Sequence, residues 1–262
     1  MPWSPDRFVH GFLLQVRRLL NFPSLSSINK PSSWRGEELF SGADWEWSFV
    51  EEELEELRVL GTLYKQVHEP IGSELLKAKL GSIQDSLENG SGAVILRGFP
   101  LDSFELEFGT EKISELFLWL ASQVGTPVSQ NATGDLMLSV RNEAFGKDDS
   151  RTRGPNTNRR LSFHTDRCDV IAFLCLRQAM EGGENELVSS PGLYEVIRQE
   201  RPDLLSILMQ PFPYKRHIVD KGNALPYCKQ PIFSFCDGYF AGSFLRVLID
   251  RADADPACPS LS

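Results

Sequence analysis

Short apolar segments separated by turns dominate the second half of the chain, and helices do not alternate with them at regular intervals. Val170-Ile-Ala-Phe-Leu-Cys-Leu176 is an apolar run of strand length. Glu181-Gly182-Gly183 forms a turn, and Glu186-Leu-Val-Ser189 reads as another short strand. Ile232-Phe-Ser-Phe-Cys236, Asp237-Gly238 and the stretch from Tyr239 to Val247 spell a β-hairpin with a preferred two-residue turn. A doubly wound sheet needs regular strand–helix alternation, which is absent. The predicted fold class is therefore mainly β with flanking helices (α+β), a sandwich or barrel.

Helices are predicted where apolar residues recur at helical spacing. Residues 45–66 place Phe49, Leu54 and Leu57 beside Glu51, Glu52, Glu53, Glu55 and Glu56, whose carboxylates read as a solvated face. A second helical stretch stops at Asn89-Gly90. Ala93-Val-Ile-Leu96 then reads as a buried strand, closed by a turn at Arg97-Gly98-Phe99-Pro100. From Glu111 to Val124, Ile113, Leu116, Phe117 and Leu120 mark a further helix ended by Gly125-Thr-Pro127. Ser190-Pro191 and Arg201-Pro202-Asp203 each open a short helix with proline in the first turn. Residues 141–160 form a long polar loop, which is either a lid or binding loop or a surface excursion. Its Arg151, Arg153, Arg159 and Arg160 either meet an anionic small molecule or are simply solvated.

Length and charge bound the rest. A chain of 262 residues holds one to two domains at roughly 150 residues each. The sequence reads as one domain over residues 41–262 behind a lead over residues 1–40. In its first 36 residues the lead carries Arg7, Arg17, Arg18, Lys30 and Arg35 against Asp6, with Phe8, Phe12, Val16 and Leu19 at helical intervals. It reads as an amphipathic helix docking on the domain, with a mitochondrial-type presequence as the alternative. The net charge of -9 repels phosphate backbones, so neither a nucleic acid nor an anionic membrane is an expected partner. No apolar stretch approaches the ~20 residues of a membrane span. Five cysteines without a CxxC pair form neither a disulfide framework nor a zinc ribbon. A reducing, cytoplasmic setting follows, or a mitochondrial one if the lead is a presequence.

One constellation carries chemistry. Among the four histidines, His164 is followed two positions later by Asp166. On a strand such residues point to one face with Cα atoms about 6.6 Å apart. They supply two-thirds of the two-His-one-carboxylate set that leaves open positions on Fe(II). A surface histidine beside a strand-end aspartate is the ordinary alternative. Cys168 falls on the same face but about 13 Å away along a straight strand, and it reads as a buried structural thiol.

The string Leu161-Ser-Phe-His-Thr-Asp-Arg-Cys-Asp-Val-Ile-Ala-Phe-Leu-Cys-Leu-Arg177 resembles the Fe(II)/2-oxoglutarate-dependent oxygenases of the taurine dioxygenase (TauD/TfdA) family. So do Ala179-Met-Glu-Gly-Gly-Glu-Asn-Glu-Leu-Val188, Ala93-Val-Ile-Leu-Arg-Gly-Phe99 and Gly125-Thr-Pro-Val-Ser-Gln130, in the family's order. The resemblance spans residues 85–255. It implies a double-stranded β-helix (jelly roll), with Fe(II) held by His164, Asp166 and a distal histidine, and 2-oxoglutarate chelating the metal. O2 would oxidise that co-substrate to succinate and CO2 while a small organic substrate is oxidised, as in hydroxylation. The family pattern is not met everywhere. His217 is the only histidine after the HxD, and its polar surroundings read as surface. Arg246 and Arg251 lack the preceding histidine that marks the carboxylate-pairing arginine. Asn185 stands where the family has Thr or Ser reaching 2-oxoglutarate, and its amide can still donate a hydrogen bond. The expectation is a fragment of a longer product, or a truncated member with impaired catalysis and a jelly roll incomplete at its C-terminal strands. Readings from other classes are a non-catalytic scaffold that keeps the fold and a hydrolase using a different metal.

Overall fold

The computed structural model describes residues 11–16, 20–21, 27–28, 31–63, 73–131, 133–144, 156–216, 225–236 and 239–261. Its organising element is a strand with no solvent face. In order, the chain runs β1 (Gly11–Val16), β2 (Leu20–Asn21), α1 (Gly36–Ser41), β3 (Glu46–Ser48), α2 (Glu51–Leu63), α3 (Glu74–Asn89) and β4 (Ala93–Arg97). Ala93, Val94, Ile95 and Leu96 of β4 are all at most 1% exposed, which is why the segment reads as a continuous apolar run rather than an alternating one. Val94 and Leu96 pack into a large helical cluster. Ala93 and Ile95 face the other way, onto Trp34, Leu39 and Trp45. The strand lies inside a four-stranded sheet ordered β3-β4-β1-β5, where β5 is Val170–Leu174.

The helices over the first face are built by apolar stripes. Leu76, Leu80, Ile83 and Leu87 of α3 form one buried row. After α4 (Leu101–Phe108), α5 (Thr110–Val124) presents Ile113, Leu116, Trp119, Leu120 and Val124. α2 begins with Glu51, Glu52 and Glu53, where negative charge favours a helix N-terminus. Glu53 also accepts from the Val50 N–H at 2.9 Å and pairs with Lys79 of α3 at 2.9 Å. One residue of the acidic face is thus buried, where the sequence reads the whole face as solvated. A Cβ on Gly61 would lie 3.1 Å from the Phe108 ring, so glycine there lets α2 approach α4 closely. Gly98 takes φ +80 immediately after β4, a turn conformation that side chains disfavour.

A second cluster forms from the later elements: α6 (Ser190–Glu200), α7 (Pro202–Leu208), β6 (Phe212–Lys215), β7 (Tyr227–Gln230), β8 (Phe233–Cys236), β9 (Tyr239–Gly242) and α8 (Arg246–Asp253). Strands β2, β9 and β8 make a three-stranded sheet, and β6 and β7 a two-stranded one. Tyr194 of α6 lies edge-on to Phe233, Phe235 and Phe240 at 5.7, 5.6 and 5.4 Å between ring centroids. Ser189 caps α6 by accepting from the Gly192 N–H, and proline sits in the first turn as the sequence predicts. Glu195, 8% exposed, binds the Ile28 N–H, Ser27 and Arg198 and so ties an early segment to α6. Burial pushes its carboxyl up, but Arg198, the Ile28 N–H and Ser27 outweigh that and hold it below its ordinary value.

Several expectations differ from the structure. Gly11–Val16, inside the predicted lead helix, is a strand paired with β4 on one side and β5 on the other. Two ladders of backbone hydrogen bonds outweigh a helical spacing of apolar residues. The predicted strand at Glu186-Leu-Val-Ser189 has no ladder partner among the described residues, and Ser189 instead caps α6. The hairpin strands β8 and β9 pair as predicted, but β9 ends at Gly242 because α8 starts at Arg246. The turn residues Asp237 and Gly238 lie outside the described residues. No sheet closes into a barrel among the described residues, which hold helices and small sheets. No disulfide joins the cysteines among the described residues, and Cys168 is half-buried rather than buried.

Replacing Ile95 by alanine removes a side chain whose neighbours cannot close in from either face, and should cost about 2–5 kcal/mol in denaturant unfolding. Glu195→Gln should lose about 2 kcal/mol near neutral pH, as for hydrogen bonds to charged groups. Because the folded carboxyl titrates below its ordinary value, the stabilisation is present above the unfolded value and is lost as pH falls through the folded one. The gap between wild type and Glu195→Gln should therefore close on acidification.

Candidate functional site

His164 and Asp166 sit on an irregular segment leading into β5, not on a strand as their spacing predicts. The irregularity has a simple cause. The backbone of this segment pairs at Thr165, whose N–H donates to the Phe244 carbonyl at 2.7 Å, and the Phe244 N–H donates back to Thr165 Oγ1 at 2.9 Å. A single such exchange pins one residue without continuing a ladder. The HxD side chains nonetheless converge, with His164 Nε2 3.9 Å from Asp166 Oδ1.

The imidazole is held from behind. His164 Nδ1 lies 2.7 Å from the Ser162 carbonyl oxygen. A carbonyl only accepts, so in the neutral ring Nδ1 carries the proton and Nε2 keeps its lone pair toward Asp166. This is the arrangement of metal-bound histidines, whose second nitrogen donates to a carbonyl or carboxylate. Two donors each about 2.1 Å from one ion can be no more than about 4.2 Å apart, and lie about 3.0 Å apart at a right angle. The observed 3.9 Å is inside the limit. A neutral nitrogen with a carboxylate oxygen suits Fe(II) or another borderline divalent ion. Among the described residues no third His, Cys, Asp or Glu joins them in a cluster.

The other sequence candidates are placed as follows. Gly182 and Gly183 take φ +74 and +84, so the predicted Gly-Gly turn is present, and Asn185 is exposed just after it. Arg160, at the base of the long loop, pairs with Glu186 and so draws that loop toward the Asn185 segment. Arg159 is exposed. Arg246 pairs with Asp250 along α8, and Arg251 is exposed on the same helix. His217, Arg151 and Arg153 lie outside the described residues. The Glu143 N–H donates to the Asn156 carbonyl at 3.0 Å, bringing together the two sides of the long loop. Below β5, Arg177 pairs with Glu105 of α4 and, with the Thr110 hydroxyl, holds the Glu105 carboxyl below its ordinary value.

Sequence reasoning misses Ser162, Thr165 and Phe244. The first acts through its backbone, and the last two meet across 79 positions of sequence, so no local pattern marks any of them.

A model of the family described as "Taurine catabolism dioxygenase TauD, TfdA family" matches residues 64–247, from just after α2 to the start of α8 and including the HxD segment. The chain belongs to the TauD, TfdA family. FR-33289 synthase of Streptomyces rubellomurinus (strain ATCC 31215) is 32% identical over 172 residues, covering 65% of this chain and 50% of that protein. Taurine hydroxylase-like protein SAT17 of Stachybotrys chartarum (strain CBS 109288 / IBT 7711) is 20% identical over 205 residues, covering 74% and 53%. The chain thus spans about half the length of these TauD-type relatives. Membership assigns it to a dioxygenase-type family. Among the described residues no helix is long and apolar enough to cross a membrane.

The carbonyl behind the imidazole fixes which nitrogen is protonated. In nitrogen NMR spectra, assigned by the loss of one ring in His164→Gln, neutral His164 should show the Nδ1–H tautomer. The Nε2–H tautomer would contradict the hydrogen bond to Ser162.

Proposed function

We propose that this chain carries the metal-binding core of an Fe(II)- and 2-oxoglutarate-dependent oxygenase that oxidises a small organic substrate. The supporting observation is the His164–Asp166 pair, with Nδ1 at the Ser162 carbonyl and Nε2 facing the carboxylate at 3.9 Å, inside the matched residues 64–247. His164 and Asp166 would hold two positions on the metal, and any further protein ligand lies outside the described cluster. Bound Fe(II) supplies the redox chemistry, coupling O2 to oxidation of 2-oxoglutarate to succinate and CO2. The Ser162 carbonyl keeps the ring from turning, and the anionic Asp166 lowers the charge of the site. Asn185, exposed beyond the Gly-Gly turn, is proposed to offer its amide N–H to the co-substrate. Arg159 and Arg160 would border the approach of an anionic substrate from the loop base. The β-strands are proposed to form part of a double-stranded β-helix.

The test is anaerobic Fe(II) binding by equilibrium dialysis, followed by assay of succinate in air with 2-oxoglutarate. His164→Ala and Asp166→Ala should each weaken Fe(II) binding by roughly a hundredfold, the upper range for perturbing a metal site, and abolish succinate. Equal Fe(II) affinity in wild type and both variants would remove the metal assignment. Tight, pair-dependent binding without succinate would leave a metal-binding member of the family that lacks the oxygenase reaction.

A further inference from the structure

The residue between the two candidate ligands does more than space them. Thr165 is joined to each candidate ligand by one peptide bond, so its Cα lies about 3.8 Å from both of theirs. Thr165 is half-buried while His164 and Asp166 are exposed. Fixing Thr165 therefore fixes the Cα atoms of both ligands together. Its fixation is double: Thr165 N–H to the Phe244 carbonyl at 2.7 Å, and Phe244 N–H to Thr165 Oγ1 at 2.9 Å. One bond would leave the segment free to swing about the hydrogen-bond axis, and two closed into a ring do not.

The other end of this clamp is also held. Ser243, next to Phe244, is 7% exposed and is bound from three sides. Its N–H donates to the Ile232 carbonyl at 2.7 Å, its carbonyl accepts from the Tyr214 hydroxyl at 2.8 Å, and its Oγ bonds Gln230 Nε2 at 2.6 Å. Tyr214 is 0% exposed in the second cluster. The ligand pair is thereby referenced to the packing of β6, β7 and β8, while the strand that follows it, β5, packs through Val170, Ala172 and Leu174 against the first.

We propose that Thr165 is a positioning residue that holds His164 and Asp166 at metal-binding separation by clamping them, through its hydroxyl and N–H, to Phe244. The inference rests on the reading that these two residues bind a metal. Thr165→Val keeps the branched shape and the backbone donor but leaves the Phe244 N–H without its acceptor. Thr165→Ser keeps the hydroxyl.

The probe is Co(II), added to the purified protein under argon and read by its visible absorption and by calorimetry. Thr165→Val should bind Co(II) about tenfold more weakly, in the range seen when a ligand's supporting partner is removed, with an altered absorption band. Thr165→Ser should restore both to within about threefold, a margin inside that same range. Tyr214→Phe, which loosens the far end of the clamp, should weaken Co(II) in the same direction and serves if the valine variant does not fold. Wild-type Co(II) affinity and spectrum in Thr165→Val, or in Tyr214→Phe where valine is not tolerated, would overturn the proposal, whatever happens to thermal stability. His164→Ala separates the two readings: if it binds Co(II) as wild type does, the metal assignment fails, and if it alone loses Co(II), only the clamp fails.

Discussion

Burial of β4 on both faces is the constraint from which the rest of the structure follows. A strand four of whose residues are essentially removed from water needs apolar cover above and below and hydrogen-bonding neighbours along both edges. α3 and α5 supply one cover, and Trp34, Leu39 and Trp45 the other. β3 takes one edge in parallel, and β1 takes the other in antiparallel. Because β1 then has a free edge of its own, β5 can join, and β5 is the strand that carries the HxD segment at its start. The position of the candidate ligands is thus inherited, through two ladders, from a strand two places away in the sheet.

The segment holding His164 and Asp166 lies at a seam. Downstream it enters a sheet whose apolar side belongs to the first cluster, and sideways it bonds Phe244, whose neighbours belong to the second. Sites between separately packed bodies are common because the polar backbone there is not consumed by a ladder and stays free to orient side chains. Here it orients the imidazole through Ser162 and the pair as a whole through Thr165.

Much of this was legible in the sequence where one physical cause acts locally. The helical stretch closed by Asn89-Gly90, the prolines at 191 and 202 and the apolar run at 93–96 each correspond to an element of the expected kind. The HxD spacing identified the two residues that converge, although the strand invoked to explain it is absent. What was not legible depends on partners distant in sequence. Gly11–Val16 has the spacing of a helix and becomes a strand because two edges await it. Glu195 looks like one more surface acid until the Ile28 N–H reaches it across 167 positions. Glu53 sits in a run of glutamates and is buried only because Lys79 lies opposite.

The seam has a thermodynamic consequence. The two hydrophobic clusters bridged by the Thr165–Phe244 bonds need not melt together, since each has packing of its own. A ligand whose binding atoms are aligned only while both clusters are intact stabilises the joint state and neither partial one, by a free energy that grows with the logarithm of its concentration. The cooperativity of unfolding then becomes a property of the occupied site rather than of the polypeptide alone. On the proposed metal reading, residues far from His164, in either cluster, inherit a dependence on the ion that no contact with it would suggest.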